Sequence, residues 1–118
     1  SQEDTQYQLT WIPEGYEFYD CMQLDGGEDI LYVNEAGDFF AFSYQRSSEN
    51  GETYFFPGEH EEKHVSVQGT TGTLYLPHDK TNGKDLIWQN KAGTLFAVSG
   101  RCDEAVLLRA AESVSPKQ

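Results

Sequence analysis

The 118-residue sequence predicts an α+β domain in which a meandering antiparallel sheet of short strands packs against one C-terminal helix. Three observations lead to this fold class. Aromatic residues make up 14% of the chain and are spread along it, which favours pleated strands. Short β-prone runs are separated by turn residues such as glycine and asparagine. Only residues 103–113 carry apolar side chains at helical spacing.

The strands follow from alternating apolar residues between turns. The predicted runs are 7–12, 16–24, 29–34, 39–45, 65–67, 73–76, 86–89 and 94–99. In residues 39–45, Phe40, Phe42 and Tyr44 fall on one face and form a candidate core face. We identify no internal repeat. One domain spans residues 7–114, with flexible ends at 1–6 and 115–118.

The helix is predicted from its stripe of apolar residues and from its first turn. Asp103 and Glu104 lie where the positive end of the helix dipole favours carboxylates. Since a hairpin at residues 86–99 leads directly into this helix, we expect the helix to cover the sheet. The stripe consists of Leu107, Ala110, Ala111 and Val114.

The net charge of −12 is concentrated in the first half of the chain. Residues 1–62 contain 15 acidic side chains and one basic side chain, whereas residues 63–118 contain five acidic and seven basic ones. Nucleic acid and anionic membrane surfaces repel such a chain, so nucleic acid is excluded as a partner. The acidic half serves solubility or forms a face for a cationic partner or a metal ion.

One short motif matches a zinc-binding signature. His60, Glu61 and His64 fit H-E-x-x-H, in which two histidines on one helix face bind zinc and the glutamate acts as general base. Proline and glycine precede the motif and a β-prone run follows it, so the context does not favour a buried helix. We predict no metal site and no cofactor, and keep His60 and His64 as weak metal candidates.

Two further segments are candidate sites. Residues 25–29 place carboxylates around two glycines, but they lack the spacing of a calcium loop, and we interpret them as an acidic turn. Tyr54, Phe55 and Phe56 follow a polar loop and precede a proline. They form either an exposed surface that binds a peptide or partner protein, or a short edge strand over the core.

The two cysteines, Cys21 and Cys102, lie far apart in the sequence and in no CxxC pattern. Outside the cytoplasm they could form a disulfide that closes a long loop; otherwise they are two independent reduced thiols. The sequence leaves both possibilities open. It contains no transmembrane run and no signal peptide, and because it begins at Ser1 we interpret it as an excised piece or a mature fragment, in which any targeting segment would be missing.

Three segments together resemble a known family. Residues 9–16 are similar to its opening strand and Pro-Glu-Gly-aromatic turn, and residues 65–72 to its central element. Residues 86–114 are similar to its closing strand pair and Ala-Glu-Ser helix. These are small extracytoplasmic domains of unknown function, found in anti-sigma-factor-like membrane proteins and lipoproteins of Gram-positive bacteria. They are distantly like the C-terminal domain of periplasmic regulators that protect an anti-sigma factor.

The residues and the resemblance together favour a non-enzymatic, extracytoplasmic module. We expect it to sense or bind another protein or a peptide at the cell envelope, without inserting into the membrane itself, and to be membrane-tethered or secreted in the full-length protein. Two other hypotheses remain. One is a zinc-dependent hydrolase that uses His60, Glu61 and His64; the other is a carrier of a small apolar ligand, which requires a deep apolar pocket between sheet and helix.

Overall fold

The computed structural model describes residues 5–46, 60–79 and 83–117. Within these residues it has nine strands and one helix, and every pair of neighbouring strands is antiparallel. The predicted α+β class is therefore confirmed. The elements are β1 (Tyr7–Leu9), β2 (Glu17–Leu24), β3 (Gly27–Val33), β4 (Phe39–Arg46), β5 (His60–Val67), β6 (Thr70–Pro77), β7 (Lys84–Gln89), β8 (Thr94–Gly100), α1 (Glu104–Glu112) and β9 (Val114–Pro116).

Seven of the strands form one sheet in the order β2-β3-β4-β8-β7-β6-β5. This order consists of two meanders, β2 to β4 and β5 to β8, which are joined by the pairing of β4 with β8. β1 and β9 form a separate two-stranded sheet. Among the described strands, β2 and β5 are the two edges of the large sheet, so each offers one backbone edge to another strand.

The β3–β4 and β7–β8 hairpins are closed by turns of the same chemistry. The side-chain oxygens of Asn34 and Asn90 each accept the backbone N–H four residues later, both at 2.9 Å. Gly37 and Gly93 complete these turns with φ angles of 85° and 90°. Glycine adopts this left-handed conformation without a steric penalty, which explains why each turn contains one. Both predicted hairpins are confirmed.

These two hairpins are copies of one internal repeat, which corrects the expectation that the chain has none. Residues 27–44 and 83–100 align without gaps. Because β4 pairs with β8 around the Phe42–Val98 pair, equivalent residues are related by an approximate twofold axis through the centre of the sheet. The identical pairs are Gly27 and Gly83, Asp29 and Asp85, Asn34 and Asn90, Ala36 and Ala92, Gly37 and Gly93, Phe40 and Phe96, Ala41 and Ala97, and Ser43 and Ser99.

The two ends of the described chain differ from the sequence prediction. β1 is shorter than predicted and ends at Leu9, because its partner strand begins only at Val114, directly after the helix and its C-cap residue Ser113. Residues 115–118 are predicted to be a flexible end, but Ser115 and Pro116 belong to β9. β9 pairs with β1 over all three of its residues, so this pairing holds the described residues near the two ends of the chain together.

The core lies between the large sheet and the layer formed by α1, β1 and β9. Phe40, Phe42 and Tyr44 are at most 2% exposed, which confirms the predicted core face. Leu107 of α1 is fully buried among them, and each such side chain stabilises the fold by about 1.5–3 kcal/mol. The apolar stripe predicted for the helix is therefore the surface that covers the sheet.

The close approach of β3 to β4 generates a test of the fold. A Cβ atom on Gly27 would lie 1.8 Å from the carbonyl oxygen of Tyr44, so Gly27→Ala must separate the two strands. We expect this change to lower the free energy of unfolding by about 3 kcal/mol or more in urea denaturation. Gly93→Ala is the control, since it meets nothing within 4 Å and is opposed only by its φ angle. We expect it to cost about 1–2 kcal/mol. Equal losses for the two variants would contradict the described strand contact.

Candidate functional site

The two edge strands of the large sheet have opposite chemical character. β5 carries charged and imidazole side chains over most of its length, and such charges protect an edge from pairing with other chains. β2 instead carries large apolar side chains that are exposed. Together with a neighbour on β4 they form a surface that we call the apolar edge cluster, and their exposed fractions are 62% for Phe18, 60% for Tyr19, 64% for Met22 and 49% for Phe39.

The apolar edge cluster covers both faces of β2 because the strand contains a β-bulge. The pairing register with β3 shifts between Phe18 and Asp20, so Tyr19 is the extra residue. The ring of Tyr19 packs edge-on against Phe39 with their centroids 5.7 Å apart. Phe18 lies on the side of the sheet that faces the core, and Met22 lies on the opposite side. Any strand placed alongside β2 would therefore meet apolar side chains on both of its faces.

The surroundings of this cluster are strongly negative. Residues 5–46, which hold β1 to β4, contain eight acidic side chains and one basic side chain, Arg46. Glu17 and Asp20 lie on β2 itself, on or beside the cluster. The edge thus combines apolar contact area with a field that attracts cations.

A buried carboxylate lies on β3, directly beside β2. Glu28 on β3 is 5% exposed, and its two oxygens accept hydrogen bonds from four side chains. Oε1 accepts the hydroxyl of Tyr44 and the ammonium of Lys117, the latter at 3.3 Å. Oε2 accepts the thiol of Cys21 at 3.1 Å and the amide of Gln23 at 3.5 Å. We call these five residues the Glu28 network.

The protonation states within the Glu28 network follow from burial and from these bonds. Burial alone raises the pKa of Glu28, but the hydrogen bonds from Tyr44, Cys21 and Lys117 together lower it below the usual value for glutamate. Burial and the neighbouring carboxylate raise the pKa values of Cys21 and Tyr44. The network therefore holds one anion surrounded by protonated donors. A protonated thiol is a weak nucleophile, so Cys21 has the chemistry of a hydrogen-bond donor.

A small polar cavity opens beside the Glu28 network. Its volume is about 190 Å³, and its walls come from the chain before β1, the end of β2 and the β2–β3 turn. The sequence analysis interprets residues 25–29 as an acidic turn, and this is correct only for the residues up to Gly26. Gly27 to Asp29 belong to β3, which turns the Glu28 side chain into the protein.

A second carboxylate lies on the face of the sheet opposite α1. Asp85 of β7 sits between Tyr75 and Ser99 in the strand register, and it lines a cavity of about 260 Å³ together with Phe39 and Arg101. Burial raises the pKa of Asp85 to about 6. Asp29, its counterpart in the repeat, also has a pKa raised by burial. The repeat therefore places two partly buried carboxylates at equivalent positions.

The zinc motif lies on a strand. β5 begins at His60, so His60 and His64 are four residues apart on an extended chain and about 13 Å separates their Cα atoms. One metal ion cannot bind both side chains at that distance, so the helical geometry that a zinc hydrolase requires is not present. In the described residues, no group of three or more His, Cys, Asp and Glu side chains is placed to hold a metal ion.

The two cysteines are free thiols in the structure. Cys21 lies on β2 and Cys102 follows β8, which is three strands away in the sheet. That lateral separation is roughly 14 Å, about twice the largest Cα distance that a disulfide spans. Of the two possibilities that the sequence left open, the structure has the reduced pair. The predicted binding residues Tyr54, Phe55 and Phe56 lie outside the described residues.

A third cavity lies at the start of α1. Its volume is about 490 Å³, which is within the range of small-ligand pockets. Four of its seven lining side chains are charged, unlike the deep apolar pocket that the carrier hypothesis requires. The lining residues are Leu76, Pro77, Lys84, Arg101, Cys102, Asp103 and Glu104.

The sequence that builds this fold agrees with a family model. The model described as "Domain of unknown function (DUF4367)" matches residues 6–114, which is nearly the whole chain. The chain belongs to the DUF4367 family. The match includes the apolar edge cluster and Glu28, but it ends before Lys117. No curated protein matches this DUF4367 domain in sequence. Among its described helices, none is long and apolar enough to cross a membrane.

Sequence reasoning found β2 as a strand but missed its exposure. The available signal was the absence of alternation: β2 has apolar residues at both odd and even positions, yet it is too polar to be buried on both faces. Glu28 was missed because it stands among other carboxylates, and only the pairing of β3 with β4 brings it beside Tyr44.

Asp85 generates a pH prediction. Because its pKa is raised in the folded state, this carboxyl favours folding most at low pH, and that contribution is lost as the pH rises through about 6. We expect Asp85→Asn to gain stability relative to the unmodified domain between pH 4 and pH 7.5, by about 1 kcal/mol after allowing for partial exposure. Urea denaturation across this range measures the difference. Ser99→Ala alters the same cavity without changing charge and serves as the control. Parallel pH profiles for Asp85→Asn and the unmodified domain would contradict the prediction.

Proposed function

We propose that this domain is a non-enzymatic binding module that accepts an extended, basic segment of a partner protein along β2. The observation that supports this most directly is the apolar edge cluster. Among the described strands β2 is an edge strand, and it has large exposed side chains on both faces. Such a strand is suited to pair with a strand of another protein. Backbone hydrogen bonds to the edge supply affinity, and the side chains on either side supply specificity.

The acidic surroundings indicate the charge of the partner. Glu17 and Asp20 would lie next to the added strand, and the domain as a whole carries a net charge of −12. Opposite charge accelerates association and selects against wrong partners. A second copy of this chain would instead bring like charges together along β2. The proposed occupant is therefore a lysine- or arginine-containing strand with apolar residues at alternate positions.

The proposed location is outside the cytoplasm, with a tether at the cell envelope. This part of the proposal rests on the segments at residues 9–16, 65–72 and 86–114, which resemble domains of anti-sigma-factor-like membrane proteins and lipoproteins of Gram-positive bacteria. The native reading frame upstream of Ser1 tests it. A membrane-spanning helix or a lipoprotein signal there is the expected result, and a cytoplasmic start immediately before Ser1 would overturn this part.

The binding mode is tested with a designed peptide of alternating lysine and valine, eight residues long and fluorescently labelled. We expect saturable binding by fluorescence anisotropy, and at least tenfold weaker binding to the Phe18→Ser, Met22→Ser double variant, which is about 1.4 kcal/mol. His64→Ser with Ser66→Ala changes exposed positions on the opposite edge strand and should leave the affinity unchanged.

Two further peptides separate strand addition from general electrostatic attraction. A version with every amide N-methylated keeps the charges but cannot pair with β2, so it should not bind. A version with glutamate in place of lysine should not bind either. The proposal would be contradicted if the methylated peptide bound as tightly as the unmethylated one. It would also be contradicted if the β2 double variant and the β5 double variant bound the peptide equally tightly. Concentration-dependent dimerisation in analytical ultracentrifugation, abolished by the β2 changes, would assign the edge to a second copy of the chain instead.

A further inference from the structure

The Glu28 network contains a cation-binding position at the proposed peptide edge. Glu28 is the one charged residue among those buried in the described part of the chain. Its carboxylate is ionised, and within the described residues the ammonium of Lys117 lies 3.3 Å from its Oε1 and provides a positive charge. A buried anion of this kind requires a partner charge, since removing the partner leaves an uncompensated charge away from water.

Lys117 is a replaceable partner. Its side chain is 36% exposed, and it lies near the end of the chain. The backbone N–H of Lys117 bonds the carbonyl oxygen of Gln6 at 2.8 Å, so the backbone stays in place when the side chain leaves. The long, flexible lysine side chain carries its charge on four methylene groups, which allows it to swing into water. The carboxylate position is therefore accessible to another cation without unfolding β9.

The position is close enough to β2 for a bound strand to reach it. Cys21 and Gln23 lie on β2 on the same face as Glu28, and both contact its Oε2 atom. A strand paired with β2 would lie about 4.8 Å farther out, with every second side chain on that face. The polar cavity of about 190 Å³ opens at this point, with Gln23 and Leu24 in its wall.

We infer that Glu28 Oε1 binds the primary ammonium group of a lysine on the partner strand, which enters through this cavity and replaces the ammonium of Lys117. The inference rests on the proposed function, because it assumes that the partner lies along β2. Lys117 then acts as an internal competitor that keeps Glu28 paired until the partner arrives. The ligand class is a primary amine on an extended chain.

The hydrogen-bond pattern favours lysine over arginine. Each oxygen of Glu28 already accepts two donors, and a carboxylate offers about four acceptor sites in all. An ammonium group that replaces Lys117 restores this pattern one for one at Oε1. A guanidinium prefers to bind both oxygens at once, so it must also displace a donor from Oε2. Both donors at Oε2, Cys21 and Gln23, lie on β2 and are held in place by its pairing with β3.

The first experiment compares two peptides of equal charge, alternating lysine–valine and alternating arginine–valine, by fluorescence anisotropy. We expect the lysine peptide to bind at least fivefold more tightly, and this ratio to increase in Lys117→Met, which removes the competitor. In Glu28→Gln the ratio should fall to about one. Lys91→Met removes an equal charge from an exposed turn and is the control.

The outcomes separate this inference from the proposed function. If both peptides bind equally in every variant, and the β2 changes weaken both, the proposed function holds and the lysine site is refuted. If neither peptide binds, strand addition fails, and the cavity is then tested with n-butylammonium alone. In Lys117→Met, saturable shifts of the Gly26 and Gly27 amide resonances with n-butylammonium, but not with n-butanol, would support the ammonium site. The absence of saturable shifts would overturn it.

Glu28→Gln itself must remain folded for the comparison, and urea denaturation establishes this. If it does not fold, Lys117→Met decides the question, since it leaves the carboxylate in place and keeps the backbone bond of residue 117 to Gln6; urea denaturation establishes that this variant is folded too. A lysine-to-arginine ratio that is the same in Lys117→Met and in the unmodified domain would then refute the role of Lys117 as competitor and overturn the inference.

Discussion

The pairing of β4 with β8 is the interaction on which the rest of the structure depends. These two strands come from different meanders, and no other pairing between described strands of the large sheet joins the two meanders. Phe42 faces Val98 at the centre of the pairing, and both are fully buried. A shift of one residue in this register would turn the aromatic face of β4 away from α1. The close packing of Gly100 against Phe40, where a Cβ atom would be 3.0 Å from the ring, opposes such a shift.

The sequence predicts the local elements well because their signals are local. Turn residues such as Asn34 and Gly37 define the hairpins, and the helical spacing of Leu107 and Ala111 defines α1. The order of strands could not be predicted, because the β4–β8 pairing joins residues 48 to 60 positions apart that no single turn connects. β9 was missed for a related reason: three residues carry no periodic pattern, and only the partner strand β1 makes them a strand.

The candidate site was less predictable than the fold. Exposed apolar residues on β2 look the same in sequence as the apolar residues of a covered strand, so the position of β2 at the edge had to come from the sheet order. The buried state of Glu28 depends on Tyr44 and Lys117, which approach it from distant parts of the chain. The zinc motif shows the opposite error. A short local pattern in the sequence suggests zinc chemistry, but the extended geometry of β5 does not allow it.

The acidic charge of the first half has two different structural roles. The carboxylates on β2 are exposed and lie around apolar side chains. This arrangement suits recognition of a basic surface. In the Glu28 network one carboxylate is withdrawn from water, and every one of its acceptor positions is filled by a protein donor. A carboxylate filled in this way is poorly suited to accept a proton from a substrate, since the donors that hold it also lower its basicity. Recognition, in which a cation exchanges for a cation, agrees better with this arrangement than catalysis does.

The repeat of residues 27–44 in residues 83–100 has a consequence for the ancestry of the domain. Two hairpins that share turns, glycines and register around a twofold axis are what tandem duplication of one hairpin leaves, when the original unit paired with a copy of itself. The two copies differ at several positions, and one of these is the position of Glu28. Glu28 in the first corresponds to Lys84 in the second, whose ammonium donates to the carbonyl oxygen of Cys102 just before α1. The same position of the repeat therefore carries a cation that holds the chain before α1 in one copy and a buried anion in the other.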